Sequence, residues 1–250
     1  MTLSGATESD RLGDWSETDW FDLSHLLGVP AGNALLSQRD GDYVRVPLPE
    51  HRKGMARQIG IALERIAIPN QVHDNNIELA VAGKVHKRTD GLFTADPSVV
   101  LSLQVADCAP VFFHHSGSGY RGLVHAGWRG LAAGVLVEGA GFLTAQGVDL
   151  DQVQVAIGPT IEMVCYEVGR EVVERFPATV WRSNAQGRYQ LDLVAASQEQ
   201  LSAAGIPEEN IRSVGVCTVC DSRCHSYRRD GERAGRMVAF YRDGISAQHG

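Results

Sequence analysis

The chain has 250 residues, of which 44% are hydrophobic and 21% charged, with 27 glycines and 9 prolines. This composition is typical of a globular protein and excludes the fibrous and low-complexity classes. The formal net charge of −7 argues against binding to nucleic acid or to an anionic membrane surface. The acidic N-terminus holds no apolar signal segment, and no run approaches the roughly 20 apolar residues of a membrane-spanning helix, so we expect a cytoplasmic protein.

The first part of the chain gives few local signals. Residues 1–50 lack a sustained periodicity, and the segment 37–49 predicts one short strand that ends at its prolines. In the segment that follows, an apolar residue recurs every three or four positions: Met55, Ile59, Leu63 and Ile66. This spacing predicts an amphipathic helix that ends at Pro69.

The remainder predicts an alternation of strands and helices. Four short runs rich in β-branched and aromatic residues lie at 77–82, 99–106, 110–114 and 120–126. The glycine-serine turn at 116–119 predicts that the last two form an antiparallel hairpin. Helices are predicted at 128–147, 169–176 and 194–205, and strands at 153–159, 189–193, 211–216 and 237–242. The pattern indicates an α/β fold, a single mixed-sheet domain with flanking helices.

The cysteines are odd in number, in a chain long enough to fold on its hydrophobic core. They are Cys108, Cys165, Cys217, Cys220 and Cys224. We therefore expect free thiols, of which one or more serve as metal ligand or nucleophile.

Candidate metal ligands follow neighbouring strands. Asp107 and Cys108 end one buried strand, His125 ends another, and His73 follows the Pro69 helix stop. One thiolate and two imidazoles suit a zinc ion whose fourth position stays open for water, the pattern of catalytic sites. Two alternatives are a buried core cysteine with histidines that satisfy backbone groups, and a Cys108 nucleophile with His125 as its base. The second is disfavoured because adjacent Asp107 and Cys108 point to opposite faces of a strand.

The C-terminal segment combines cysteines and arginines. Cys217 and Cys220, with Cys224 and His225, have the ligand types of a second, structural zinc site, although the gap between the two pairs demands an unusually tight loop. Five arginines crowd the same segment: Arg223, Arg228, Arg229, Arg233 and Arg236. Their guanidinium groups fit a phosphate or carboxylate ligand, and the alternative is a solvated charge run.

The remaining glycine and histidine motifs do not predict a functional site. Gly117, Gly119 and Gly122 match a dinucleotide fingerprint as text, but a strand follows them instead of a helix, so no helix N-terminus is there to hold a pyrophosphate. We expect His114 and His115 to lie at the surface beside this turn. His86 is expected to be a loop histidine and not a fourth ligand.

Several long motifs, all in the same order, resemble the YfiH-like family, whose members are variously called laccase-like polyphenol oxidoreductases, peptidoglycan editing factors and purine nucleoside phosphorylases. The resemblance covers about residues 70–242. It rests on NQVH, TDGLFT, ADCAPV, HAGWRG, IGPTIEMVCYEVG, LDL, CTVC and SYRRDGERAGR. The sequence departs from the family pattern in its first 70 residues and at Asp74, where the family commonly has glycine.

The resemblance implies a division into a divergent N-terminal segment, residues 1–50, and a metal-binding catalytic part, residues 51–250, of one domain. It implies that His73, Cys108 and His125 bind one metal ion, usually zinc, with copper as an alternative. It further implies phosphorolysis of adenosine, inosine and 5′-methylthioadenosine, with adenosine deamination at the same site. The catalytic set expected is Asp107, Cys108, His125 and Arg129, with phosphate held by Arg129 and by Arg228 or Arg229.

The partners expected are purine nucleosides and phosphate, for a monomer or weak homo-oligomer. Three other functions stay open. A copper-dependent phenol oxidase is disfavoured, because the nine histidines include no His-x-His pair. Peptidoglycan editing would use the arginines on precursors that carry L-Ser. A zinc-stabilised binding module would bind metal without turnover.

Overall fold

The computed structural model describes residues 20–39, 53–54, 56–57, 60–184 and 186–243. Within them the chain forms two six-stranded sheets and one three-stranded sheet, with short helices at the flanks. The predicted fold class, a mixed α/β domain, is confirmed. No helix in these ranges has both the length and the apolar character needed to cross a membrane.

The first sheet joins the two ends of the described chain. Its strands, in spatial order, are β1 (Trp20–Asp22), β2 (Ala34–Ser37), β15 (Met237–Tyr241), β7 (Val100–Val105), β3 (Ile66–Pro69) and β5 (Val85–His86). The pairs from β1 to β7 are antiparallel, whereas β7, β3 and β5 run parallel. The short helix α1 (Ser24–Leu27) connects β1 and β2.

The second sheet holds the predicted hairpin. Its order is β14 (Ile211–Ser213), β10 (Gln154–Ile157), β8 (Ala109–His114), β9 (Arg121–Ala126), β6 (Gly91–Thr94) and β4 (Ile77–Leu79). The pairing of β8 with β9 is antiparallel, which confirms the hairpin. The small third sheet consists of β11 (Glu167–Val168), β13 (Tyr189–Leu191) and β12 (Trp181–Ser183).

The central strands of the second sheet, β8, β9 and β6, are buried on both faces because they are apolar at successive positions. Phe112 and Leu123 pack against residues of the first sheet. Their neighbours Phe113 and Val124 face the opposite core, with helices α3 (Val135–Ala145) and α5 (Leu193–Ala203). The remaining helices are short: α2 (Trp128–Ala132), α4 (Arg170–Val173) and α6 (Tyr227–Asp230).

Two predicted helices differ from the structure. The helix predicted to end at Pro69 is wrong over its second half: Leu63 begins a 3-10 turn, and Ile66–Pro69 is strand β3. Met55 and Ile59 lie outside the described residues, as does most of the strand predicted at 37–49. The helix predicted at 128–147 is split into α2 and α3, because Gly134 takes a left-handed φ of 81° between them.

Three histidine predictions are corrected as well. His115 is buried and its Nδ1 accepts a hydrogen bond from the Ser118 backbone, and His114 is half-buried. His86 lies in β5, fully buried, where its Nδ1 is 2.7 Å from Glu78 Oε2. The rings of His115 and His86 have hydrogen-bond partners nearby, and the His114 ring lies beside Tyr241, none of which composition alone reveals.

Candidate metal centre

Three predicted ligands from separate parts of the chain lie together at one edge of the fold. His73 comes from the loop between β3 and β4, Cys108 from the bend between β7 and β8, and His125 from the end of β9. One ligand atom from each residue lies within 4.8 Å of the other two. The rings of His73 and His125 meet edge to face, with their centroids 4.7 Å apart. The structure thus brings the predicted set together, and its role as a metal centre stays a prediction.

The local backbone is shaped to present these side chains. His73 and Asp107 have positive φ angles of 62° and 84°, in the left-handed region that residues other than glycine rarely adopt. Gly127, just before α2, leaves space for sulfur, since a Cβ there would lie 2.7 Å from Cys108 Sγ. Strained turns and a required glycine next to polar side chains are typical of functional sites.

A carboxylate that sequence reasoning missed holds the cluster from behind. Asp90 is fully buried, and its Oδ1 lies 2.8 Å from Nδ1 of His125. The same carboxylate accepts hydrogen bonds from the backbone N–H groups of Val72, His73 and Asp74. Because a carboxylate only accepts, Nδ1 of His125 carries a proton, and Nε2 is the nitrogen left to bind a metal. The signal available in the sequence was an acidic residue set directly before the apolar strand β6.

The charges within the cluster favour a thiolate. Burial acts to raise the pKa of the Cys108 thiol, but the positive charge of His125 and hydrogen bonds from both histidines lower it to about 6. Burial acts to lower the pKa of His125, but the Cys108 thiolate and then Asp90 raise it to about 9. The thiolate is the form of cysteine that binds metal ions.

The donor set fits a zinc ion. It offers one thiolate and two imidazoles, one of them backed by a carboxylate, which is the arrangement that holds a metal-binding histidine in one orientation. Exposure rises from buried His125 through half-buried Cys108 to exposed His73. The open side of the cluster therefore faces solvent, where a fourth ligand has access.

That open side lines a cavity of about 940 Å³, near the upper end of the usual range of about 300–1,000 Å³ for small-molecule sites. One wall is apolar and includes Leu63, Ile66, Ile68, Pro69 and Val85. The lining also has a polar part beside the cluster, here called the polar wall, which carries Asp107, Arg129, Tyr166 and Arg228. A ligand with an apolar ring and an anionic or hydroxylated part fits this division.

Asp107 ties the polar wall together. Its Oδ1 accepts a 2.6 Å hydrogen bond from the Thr218 hydroxyl, and its Oδ2 accepts one of 2.6 Å from the backbone N–H of Arg228. Its backbone carbonyl accepts from Thr160 and Ile161. Both carboxylate oxygens thus hold the C-terminal loop against the bend that presents Cys108.

The three arginines expected to hold phosphate divide into two groups. Arg129 lies over the Trp128 ring at 4.3 Å, and Arg228 lies over the Tyr166 ring at 5.1 Å. Both line the cavity. Arg229 points away from it: its guanidinium donates to the carbonyls of Thr218 and Cys224 and to the Asp230 carboxylate. Of the two alternatives that the sequence left for phosphate, the structure brings Arg228 to the cavity and does not bring Arg229.

Tyr166 lines the cavity, and the sequence did not single it out. Burial, followed by the negative charge of Cys108, raises the pKa of its phenol. Tyr166 therefore keeps its hydroxyl proton at neutral pH and can donate a hydrogen bond into the cavity.

The C-terminal cysteines separate in the structure. Cys224 is buried in the core between the two large sheets, and His225 is buried with its ring against Gly235. The proposed partners Cys217 and Cys220 instead meet Cys165, with one sulfur from each residue within 4.8 Å of the others. The four-residue set considered from spacing is thus not assembled.

The chain matches the family model described as multi-copper polyphenol oxidoreductase laccase over residues 36–242. It is 35% identical over 224 residues to the purine nucleoside phosphorylase YlmD of Geobacillus stearothermophilus, covering 78% of each chain. It is 32% identical over 252 residues to adenosine deaminase RL5 of an unknown prokaryotic organism, covering 86% of this chain and 94% of the relative.

The fold agrees with these matches. The crystal structure of YlmD from Geobacillus stearothermophilus superposes with a TM-score of 0.83 and 29% identity, covering 94% of this chain and all of that one. The crystal structure of the YfiH protein of Bacillus licheniformis gives a TM-score of 0.77 at 27% identity, over 83% of this chain and 91% of the other. The chain therefore belongs to the laccase-like YfiH and YlmD family, a family of metal-dependent enzymes.

Proposed function

We propose that this protein is a zinc-dependent purine nucleoside phosphorylase that also deaminates adenosine. The observation that carries the proposal is that the His73, Cys108 and His125 cluster lines the same cavity as Arg129 and Arg228. Relatives with these two activities in their names, a purine nucleoside phosphorylase and an adenosine deaminase, support it.

The cavity offers contacts to both the purine base and the phosphate of a nucleoside phosphorolysis. Its apolar wall, around Ile66 and Ile68, offers a surface for the flat face of a purine. Arg129 and Arg228 bring positive charge into a chain whose net charge is −7. Guanidinium groups bind phosphate oxygens in pairs and hold them in a fixed direction. The two arginines are therefore assigned to phosphate.

In phosphorolysis, a phosphate oxygen forms a bond to C1′ of the ribose while the bond from C1′ to N9 breaks and the base leaves with the electron pair. Arg129 and Arg228 would hold the phosphate beside C1′, so that attack becomes effectively unimolecular. Tyr166 keeps its proton and can donate to the substrate. Asp107 has both oxygens engaged by the loop that carries Arg228, and we assign it a positioning role.

In deamination, water replaces the amino group at C6 of adenosine and ammonia leaves. Zinc held by His73, Cys108 and His125 would supply Lewis acidity for this reaction and, in the same cavity, for the departure of the base in phosphorolysis. Asp90 keeps the His125 ring in one orientation and its Nδ1 protonated. One cavity thereby offers a phosphate site and a metal site to the same substrate.

The test is incubation of protein of known zinc content with adenosine, inosine and 5′-methylthioadenosine, with and without phosphate, followed by chromatography. We expect free base and a ribose 1-phosphate only with phosphate, and inosine from adenosine without it. His125→Ala should lose zinc and lower both rates at least about 100-fold. Base release at the wild-type rate by folded His125→Ala would contradict the proposal, as would no turnover by protein with a full zinc complement.

The phosphate assignment has its own matched variants. Arg129→Ala and Arg228→Ala should each raise the KM for phosphate about tenfold or more, because each removes a charge-assisted hydrogen bond. Arg170→Ala is the control, since Arg170 is exposed and its guanidinium pairs with Glu174 along α4. An equal effect of all three substitutions would assign the change to overall charge and reject the two named arginines.

A further inference from the structure

A second group of metal-type ligands lies outside the cavity. Cys165, Cys217 and Cys220 are free thiols, and their three sulfur atoms all lie within 4.8 Å of one another. The Sγ atoms of Cys165 and Cys220 are 3.4 Å apart. Three sulfurs bound to one tetrahedral zinc ion at about 2.3 Å are separated by roughly 3.8 Å, so small side-chain rotations would place all three around one ion.

The chain around Cys217 has the form of a metal-binding turn. Cys217 and Cys220 are three residues apart, a spacing at which two cysteines of one turn bind the same zinc ion. The turn is closed by a hydrogen bond of 2.9 Å from the Asp221 N–H to the Cys217 carbonyl.

The third thiol comes from a distant segment. Cys165 ends the 3-10 turn Met163–Cys165, and the two segments also meet at a bridge between Thr160 and Cys217. A disulfide would use two of the three thiols and leave the third unused, whereas a metal ion uses all three. Cys217 is buried, Cys165 half-buried and Cys220 exposed, so the outer side of the group is accessible to a water molecule as the fourth ligand.

The position of the group gives it a structural task. Tyr166, next to Cys165, lines the cavity, and Thr218, next to Cys217, donates to Asp107. An ion bound to the three sulfurs would connect the segment that carries Tyr166 to the loop that carries Thr218 and Arg228. Both sides of the polar wall would then be fixed from behind.

We propose that Cys165, Cys217 and Cys220 bind one zinc ion, separate from the His73, Cys108 and His125 centre, and that this ion fixes the polar wall of the cavity. The proposal does not depend on which reaction the cavity supports. In this site Cys165 joins the Cys217 and Cys220 pair. Cys224 and His225, the partners considered from the sequence, lie elsewhere.

The experiment is to count zinc in the full chain purified under reducing conditions with zinc present. The wild type should hold two ions per chain, and the double variant Cys108→Ala, His125→Ala should hold one. Adding Cys220→Ser to that double variant should remove the last ion, and Cys220 is exposed, so its replacement is compatible with folding. Cys224→Ala is the matched control and should leave the zinc content unchanged.

Cobalt gives a second readout that does not depend on activity. Cobalt bound to the Cys108→Ala, His125→Ala variant should show thiolate-to-cobalt charge-transfer absorption, and Cys220→Ser should abolish the band. A folded double variant with neither zinc nor this band would overturn the proposal. So would a disulfide between Cys165 and Cys220 in zinc-treated protein, or zinc retained in full after Cys220→Ser.

Discussion

The two ligand groups of this protein have opposite designs. The first mixes one sulfur with two imidazoles, lies on a cavity wall and is held by the buried Asp90 carboxylate. The second is all sulfur and extends from buried Cys217 to exposed Cys220. A borderline-soft cation accepts both sets. The first lies beside a cavity, where a substrate can reach the ion, and so suits catalysis. The second joins two chain segments through sulfur ligands alone and so suits a structural link.

Asp107 and Thr218 connect the groups physically. Cys108 follows Asp107, Thr218 follows Cys217, and the two polar side chains share a 2.6 Å hydrogen bond. Substitutions can therefore be chosen that affect one group and not the other. Substitutions around Asp90 and Gly127 should affect the first group alone, while Thr218 lies at the junction.

Asp90→Asn should have the largest effect. Oδ1 accepts from His125 and His73, and Oδ2 accepts from Val72 and Asp74. The amide of asparagine must turn an NH₂ group toward one of these pairs of donors. We expect metal affinity at the first group to fall about 10- to 100-fold, and the free energy of unfolding to fall by about 2–4 kcal/mol. Metal titration and urea unfolding measure the two losses.

Asp74→Asn is the control for this variant. Asp74 is exposed, and its Oδ1 accepts only from the next backbone N–H among the bonds found for the described residues. It should leave both quantities close to wild type. If Asp90→Asn bound zinc as tightly as the wild type, Asp90 would have no part in the centre.

Gly127→Ala should have the next largest effect. The backbone of Gly127 is extended, with φ −90° and ψ 169°, so alanine meets no backbone strain there. Its Cβ would lie 2.7 Å from Cys108 Sγ, and the sulfur must move. Such crowding costs about 1–3 kcal/mol, so we expect roughly tenfold weaker metal binding. Gly141→Ala, in an open and exposed position of α3, should leave metal binding unchanged.

The sequence predicted best the features that depend on neighbouring residues. The hairpin of β8 and β9 follows from a short glycine-serine turn between two apolar runs, and the alternation of helices and strands beyond it needs only local pattern. The helix predicted through Ile66 was wrong because a spacing of three and four also fits a 3-10 turn followed by a short strand. Pairing of β3 with β7 and β5 settled the conformation.

The sequence predicted the site residues that are polar in an apolar context. It missed those whose partners lie far away along the chain. Cys108 and His125 stand out as polar residues at the ends of apolar strands. Asp90 lies 35 positions before His125, and Cys165 lies 55 positions before Cys220. No local pattern links such residues, because folding of the sheets brings them together. Cys224, which lies closest to the pair in sequence, is directed into the core.

Thr218→Val tests the connection between the two groups. It removes the hydroxyl that donates to Asp107 while leaving a side chain of similar shape in a buried position. One oxygen of a buried carboxylate then loses its partner, so unfolding should become easier by about 1–2 kcal/mol. Thr218→Ser should restore most of this stability. Zinc at each group is then counted, and equal zinc content with unchanged stability would show that Asp107 and Thr218 do not couple the groups.

The smallest effect is expected at a histidine and carboxylate pair that has no cysteine beside it. Buried His86 lies 2.7 Å from Glu78, which resembles the His125 and Asp90 pair. The hydrogen bond from His86 holds the pKa of Glu78 below its usual value. Stability from this carboxylate is therefore present at neutral pH and is lost as pH falls through the lowered pKa.

Glu78→Gln should accordingly cost less than about 1 kcal/mol near neutral pH, because the Glu78 side chain is one-third exposed and solvent screens its charge. The difference from wild type should shrink as pH falls below the usual pKa of a glutamate, and it should vanish once pH has passed the lowered pKa of folded Glu78. Urea unfolding of both proteins at about pH 7 and about pH 3.5 measures it. Zinc content should not change, because Glu78 and His86 belong to neither sulfur-containing group; a loss of zinc would mean that this pair supports the loop of His73.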